Sequence, residues 1–173
     1  LSINFLLLYS QLRAQDTDSL YVVSAGEKQY IYEYVRVNQS PGLFIYDSTK
    51  RPYRQALLPD VSSDCIDHQK FTKISHEEKF SAVFSLKRRQ ELNNEKTVFI
   101  SVYLKKSGEV LFTLFYTERN TLIRPEEFAA VEQLIKQHYK PIINPNEASL
   151  CDKIMGNEPV IVTDLRLRIQ NIR

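Results

Sequence analysis

The most regular pattern of apolar and polar positions lies between Thr97 and Tyr116. The run Thr97-Val98-Phe99-Ile100-Ser101-Val102-Tyr103-Leu104 alternates with the period of a strand, Ser107-Gly108 supplies a turn, and Val110 to Tyr116 returns as its partner. This predicts a β-hairpin. Two earlier runs, Leu20-Tyr21-Val22-Val23 and Tyr30 to Val37, flank the turn-like Ala25-Gly26-Glu27-Lys28 and are rich in aromatic and β-branched residues. They predict two more strands. Ser40-Pro41-Gly42 then precedes a third, Leu43-Phe44-Ile45-Tyr46. Near the end, Val160-Ile161-Val162-Thr163 is followed by Leu165, Leu167 and Ile169 alternating with Arg166, Arg168 and Gln170. That spacing predicts a terminal strand buried on one face.

Two segments carry helical signals instead. Ser75-His76-Glu77-Glu78 opens with a capping residue and two acids, with Val83, Phe84 and Lys87 at helical offsets before Asn93-Asn94. Arg124-Pro125-Glu126-Glu127 places proline at a helix start and acids in the first turn, where they complement the helix dipole. Phe128, Val131, Leu134 or Ile135, and Tyr139 continue at spacings near three and four, which leaves Glu132, Lys136 and His138 expected on the water side. Lys140-Pro141 stops this helix. Between Asp47 and Asp67 the apolar runs are brief and broken by proline, so a long surface connection is expected.

Composition narrows the class of protein. A length of 173 residues with 43% hydrophobic and 25% charged residues is that of one folded domain. The formal net charge of +2 lacks the basic excess that phosphate-backbone binding leaves, so no nucleic acid partner is expected. Ile3 to Tyr9 reads as a short apolar core followed by Leu12-Arg13-Ala14, the end of a signal-peptide remnant over residues 1–14, with a single domain over 15–173. The expected location is therefore exported, periplasmic or extracellular. No apolar run approaches the roughly 20 residues of a spanning helix, so no transmembrane segment is expected.

Candidate chemistry is sparse. Cys65 and Cys151 are far apart in sequence and form neither a CxxC pair nor a metal-ligand cluster. They are a disulfide candidate if the compartment is oxidising, and two buried thiols otherwise. Asp64-Cys65-Ile66-Asp67-His68 gathers a thiol, an imidazole and two carboxylates, so Cys65 with His68 is the alternative catalytic pair of a thiol hydrolase or transferase. No nucleophile signature surrounds it, and no HxxxH spacing supports a metal site with His76. The 4 glycines are too scattered to cradle a phosphate, and neither metal nor cofactor is expected. Lys87-Arg88-Arg89 is followed by Glu91 and Glu95 and reads as a solvated helix face. Tyr30, Tyr32 and Tyr34 share one strand face. They are the binding candidates, as a platform on which a sugar or peptide could stack, against the alternative of simple core packing.

The hairpin Val98 to Tyr116, turning at Ser107-Gly108-Glu109-Val110 and followed by the helix from Glu126 to Tyr139 and by Lys140-Pro141, resembles the C-terminal domain of TonB-like energy transducers. The stretch from Phe80 to Tyr139, with the export-like start, also looks like uncharacterised secreted proteins of Bacteroides-type bacteria. That resemblance implies an exported protein without assigned chemistry.

The expectation is thus an α+β fold, a mainly antiparallel sheet with two or three helices packed on one face. Its expected role is an exported binding or protein-interaction module without catalytic machinery. A protein or peptide partner would pair with an edge of the hairpin or of the terminal strand.

Overall fold

In the computed structural model the described residues are 20–37, 40–50, 80–95, 97–105, 107–141, 153–155 and 158–172. They build one seven-stranded sheet from β1 (Leu20–Ala25), β2 (Lys28–Val37), β3 (Ser40–Asp47), β4 (Val98–Lys105), β5 (Val110–Glu118), β6 (Lys153–Met155) and β7 (Glu158–Leu167). The spatial order is β1-β2-β3-β5-β4-β7-β6, and every neighbouring pair is antiparallel.

The strands form where β-branched and aromatic residues cluster, and the turns form where the backbone must adopt conformations that side chains resist. Gly26 turns β1 into β2 at φ 62°, and Gly108 turns β4 into β5 at φ 82°, both in the left-handed region open to glycine. Space is tight at the second turn. A Cβ on Gly108 would stand 2.8 Å from the Pro141 carbonyl oxygen, so the turn also holds the chain leaving the long helix close to the sheet. The β4–β5 register shifts at Tyr103/Leu104, a bulge beside that turn.

Both faces of the sheet are apolar. The first carries Tyr30, Tyr32, Leu43, Ile45, Ile100, Val102, Phe115 and Ile161 in one buried cluster, and the second carries Ile31, Tyr46, Tyr103, Phe112, Leu114 and Val162 in another. On the first face lies α2 (Pro125–His138), packed on β5 and β1 through Phe128, Val131 and Ile135. Its start is fixed by a capping box: Glu127 Oε2 accepts the Arg124 N–H at 2.7 Å, and Pro125 occupies the first turn, where its missing N–H has no helical partner to lose.

The α+β expectation, with two or three helices packed on one face, is overturned. The domain is sheet-dominated, and α2 is the one helix longer than two turns among the described residues. The other, α1 (Leu86–Glu91), spans six residues, is capped by Ser85 Oγ accepting the Arg88 N–H, and buries none of its own side chains. Its flanks do the packing instead: Phe80, Phe84 and Leu92 join the first cluster. The charged run Lys87 to Glu91 has helical propensity but no apolar stripe, so nothing draws it onto the sheet as a second layer. The apolar material lies in strands that bury both faces, a pattern expected of sheet interiors rather than of a helix-covered single face. The terminal strand shows the same effect, since Ile161, Val162 and Thr163 are all buried and single-face burial holds only further along, where Asp164 and Arg166 are exposed.

Candidate functional site at the β1 edge

The hairpin β4–β5 lies in the middle of the sheet, where β3 and β7 occupy its two outer sides, so it has no free edge. β7 is flanked by β4 and, over Glu158–Val160, by β6. Its continuation carries exposed Asp164 and Arg166, charges of the kind that blunt an edge. β1 differs. Its one partner among the described residues is β2, and the sequence LYVVSA has neither charge nor proline.

The register determines what that edge offers. Ala25 pairs with Lys28 across a two-residue turn, and the closing pair of such a hairpin exchanges hydrogen bonds. Val23 with Tyr30 and Tyr21 with Tyr32 then repeat the bonded geometry, because bonded and non-bonded pairs alternate. The N–H and C=O groups of Leu20, Val22 and Ser24 therefore point outward. Exposed apolar side chains surround them: Val22 is 53% exposed, and Leu20 and Tyr21 are each 41% exposed.

Beside this edge, on the face that carries α2, is a group of tyrosines. Tyr21 stacks on Tyr32 with ring centroids 5.1 Å apart and meets Tyr34 at 6.0 Å. The Arg119 guanidinium sits 4.5 Å from the Tyr34 ring centroid, a cation–π contact. Tyr32 is buried, its ring edge-on to Phe128 at 6.3 Å, and its hydroxyl has no hydrogen-bond partner among the described residues. Of the three tyrosines singled out in the sequence, Tyr30 and Tyr32 are thus packed beneath α2, and Tyr34 stays half-buried next to Tyr21. Tyr21 was missed because its strand was read for pattern alone. The signal lies in its register opposite Tyr32, which only the hairpin supplies.

Tyr30 belongs to a second constellation. Its hydroxyl donates to Glu132 Oε2 at 2.6 Å, Lys28 Nζ lies 3.1 Å from the same oxygen, and Lys136 Nζ lies 2.9 Å from Oε1. Glu132 is only 1% exposed, contrary to its expected place on the water side of the helix. It lies four residues beyond Phe128 and one after Val131, hence on the buried stripe, and it is tolerated there because β1–β2 delivers a hydroxyl and an ammonium. Burial by itself would push the Glu132 carboxyl up, but the Tyr30 hydrogen bond and the two ammonium groups outweigh it and hold the group below the usual carboxylate range.

These groups can bind but are poorly suited to move protons. Burial, with the nearby Tyr34, pushes the Tyr21 hydroxyl up, and burial pushes Tyr30 and Tyr32 far up, so all three are neutral donors at ordinary pH. Among the described residues no three His, Cys, Asp or Glu side chains gather in a metal-ligating group. Cys65, His68, His76 and Cys151, the thiol and metal candidates, all lie outside the described residues. The basic run resolves into structural contacts at its centre. Arg88 clamps Glu127 through Nε at 2.6 Å and Nη2 at 2.9 Å, and it also bonds Glu91 and the Leu122 carbonyl. Glu95 is buried and accepts from Thr121 Oγ1 and the Leu122 N–H. Among the described residues no helix is long and apolar enough to cross a membrane.

The described residues therefore define a sheet-dominated domain, with one long helix among them lying across an antiparallel sheet and an uncharged edge strand at one margin. It is similar to the crystal structure of a DUF5043 family protein from Bacteroides uniformis. The TM-score is 0.59 and the identity 15%, over 88% of this chain and 87% of that one. The likeness is one of fold, to an uncharacterised protein of the Bacteroides type. No protein-family model matches the chain, and no curated protein matches it.

Proposed function

We propose that this chain is an exported binding module that takes up an extended segment of a partner by strand addition along β1. The observation that carries the reading is the β1 edge itself: outward backbone groups at Leu20, Val22 and Ser24, flanked by exposed Leu20, Tyr21 and Val22, with no charge to repel an incoming strand. Main-chain hydrogen bonds would supply affinity. Tyr21, with Tyr34 and Arg119 beside it, would supply side-chain selectivity on the α2 face.

A capped synthetic peptide of alternating valine and serine, titrated into isotopically labelled protein, tests the reading. The amide signals of Leu20, Val22 and Ser24 are expected to shift and to gain protection from exchange, while those of Tyr21 and Val23, already bonded to β2, change less. Val22→Pro removes one outward donor without touching the β1–β2 ladder, because proline is tolerated where the N–H faces solvent. It should abolish binding and leave the melting curve nearly unchanged. Undiminished binding by Val22→Pro, or shifts confined to other strands, would contradict the proposal.

Export rests on the apolar run Ile3 to Tyr9 and the Leu12-Arg13-Ala14 end. Intact mass of the natively produced protein is expected to show loss of residues 1–14. A species retaining them would remove the export part of the proposal while leaving strand addition standing.

A further inference from the structure

We infer that the strand received by β1 is the β1 of a second copy, so that two chains join edge to edge about a twofold axis through Val22. The inference rests on the strand-addition reading and names its partner.

The argument begins with symmetry. In an antiparallel pair formed by one strand with its own copy, residues whose numbers add to a constant face each other. Bonded pairs require outward backbone groups on both sides. The outward set is Leu20, Val22 and Ser24, evenly spaced about Val22. Centring the axis on Val22 sets Leu20 against the partner's Ser24 and Val22 against the partner's Val22, and uses every outward group of β1. Shifting the register by two residues in either direction leaves part of the set unpaired. A shift by one would set outward groups against inward ones.

Side chains agree with the same register. The axis stands perpendicular to the sheet, so each face of one copy continues into the same face of the other. On the α2 face, exposed Tyr21 comes beside the partner's Val23. On the opposite face, the two Val22 side chains, each 53% exposed in the single chain, meet on the axis. Charge is compatible as well, since LYVVSA has no charged residue that would meet its own like across the axis. Natural edges usually carry such charges to prevent this pairing, and β7 does, with Asp164 and Arg166 exposed. Pairing between β1 of one copy and β7 of another would be heterologous and would build a ring or an open filament rather than a dimer. The β1–β1 contact closes on itself.

The contact is short, in the size class of transient interfaces, so the dimer should populate at roughly 10–1,000 μM chain. Sedimentation velocity of the full chain across that range is expected to show a monomer–dimer equilibrium. Val22→Lys would place two ammonium groups face to face on the axis and should weaken the dimer at least tenfold, with an unchanged melting curve in dilute solution. Val22→Thr, neutral and β-branched, should keep it. A chain that stays monomeric throughout, or a Val22→Lys variant that dimerises as well as the parent, overturns the inference. If the chain is monomeric but the valine–serine peptide still binds at β1, dimerisation alone fails and strand addition stands. If neither occurs, both fail. Open-ended growth in place of a discrete dimer would assign the edge to a heterologous contact and also overturn it.

Discussion

Truncating Phe128 to alanine is expected to cost about 3–5 kcal/mol of stability, the range for removing a buried aromatic side chain from a packed core. Phe128 is 2% exposed and is the largest of the apolar residues through which α2 grips the sheet, with Val131 and Ile135. Its ring lies 5.0 Å from that of Phe115 on β5 and 6.3 Å, edge-on, from that of Tyr32 on β2. Alanine at this position would leave a void bounded by two strands and a helix that cannot all close in, so transfer and cavity costs add. Domains of this kind have a total stability of about 5–15 kcal/mol, so the variant would keep only part of its margin. Urea unfolding followed by far-ultraviolet circular dichroism, the chain having no tryptophan, should show a large fall in midpoint with little change in slope. A loss below about 1 kcal/mol would mean that α2 is not held chiefly by this contact.

The second large effect is expected at Glu132. Replacing it with alanine should cost about 3 kcal/mol, because the Tyr30 hydroxyl, buried and donating to Oε2, would lose its acceptor while Lys28 and Lys136 would lose their shared anion. The figure stays near the low end for a broken buried pair because both lysine side chains reach solvent, at 40% and 29% exposure. Acidity provides a separate signature. The folded-state carboxyl is held below its usual range, so its contribution is fully present above the unfolded-state value and is lost as pH falls through the folded-state value. Stability measured from pH 7 down to pH 3 should therefore fall more steeply for the parent than for Glu132→Gln, in which this group cannot titrate. Parallel curves would show that the carboxylate is not held as the geometry implies. Tyr30→Phe should soften the acid dependence without abolishing it, since the two ammonium groups remain.

These two residues show how far the sequence could be read. Phe128 was legible: a proline start, two acids and a three-to-four spacing of apolar residues place it on the buried stripe of a helix whose bounds came out nearly as expected. Glu132 was not, because its partners Tyr30 and Lys28 lie about a hundred positions away. A buried carboxylate looks like a surface one until the hairpin that neutralises it is in place. The strands around Gly26 and Gly108 were legible for the opposite reason, since their turns are local and glycine there reports a backbone conformation directly. The six-residue α1 was over-read. Charged helix formers gave it propensity, yet propensity says nothing about burial, and the residues that pack are Phe80, Phe84 and Leu92 at its margins.

By itself, then, the sequence determined the local elements: hairpins closed by glycine turns, a capped amphipathic helix, and strands whose period follows from alternating side chains. It could not determine the order in which those strands pair. That order, β1-β2-β3-β5-β4-β7-β6, buries the strongest hairpin at the centre and leaves an unremarkable first strand at the margin. Which edge is free is a property of the whole sheet, because one strand's exposure depends on where all the others have gone. The candidate site at β1 consists of ordinary strand residues, Leu20, Tyr21 and Val22, and they become a binding edge only because the tertiary structure provides no neighbour for them among the described residues.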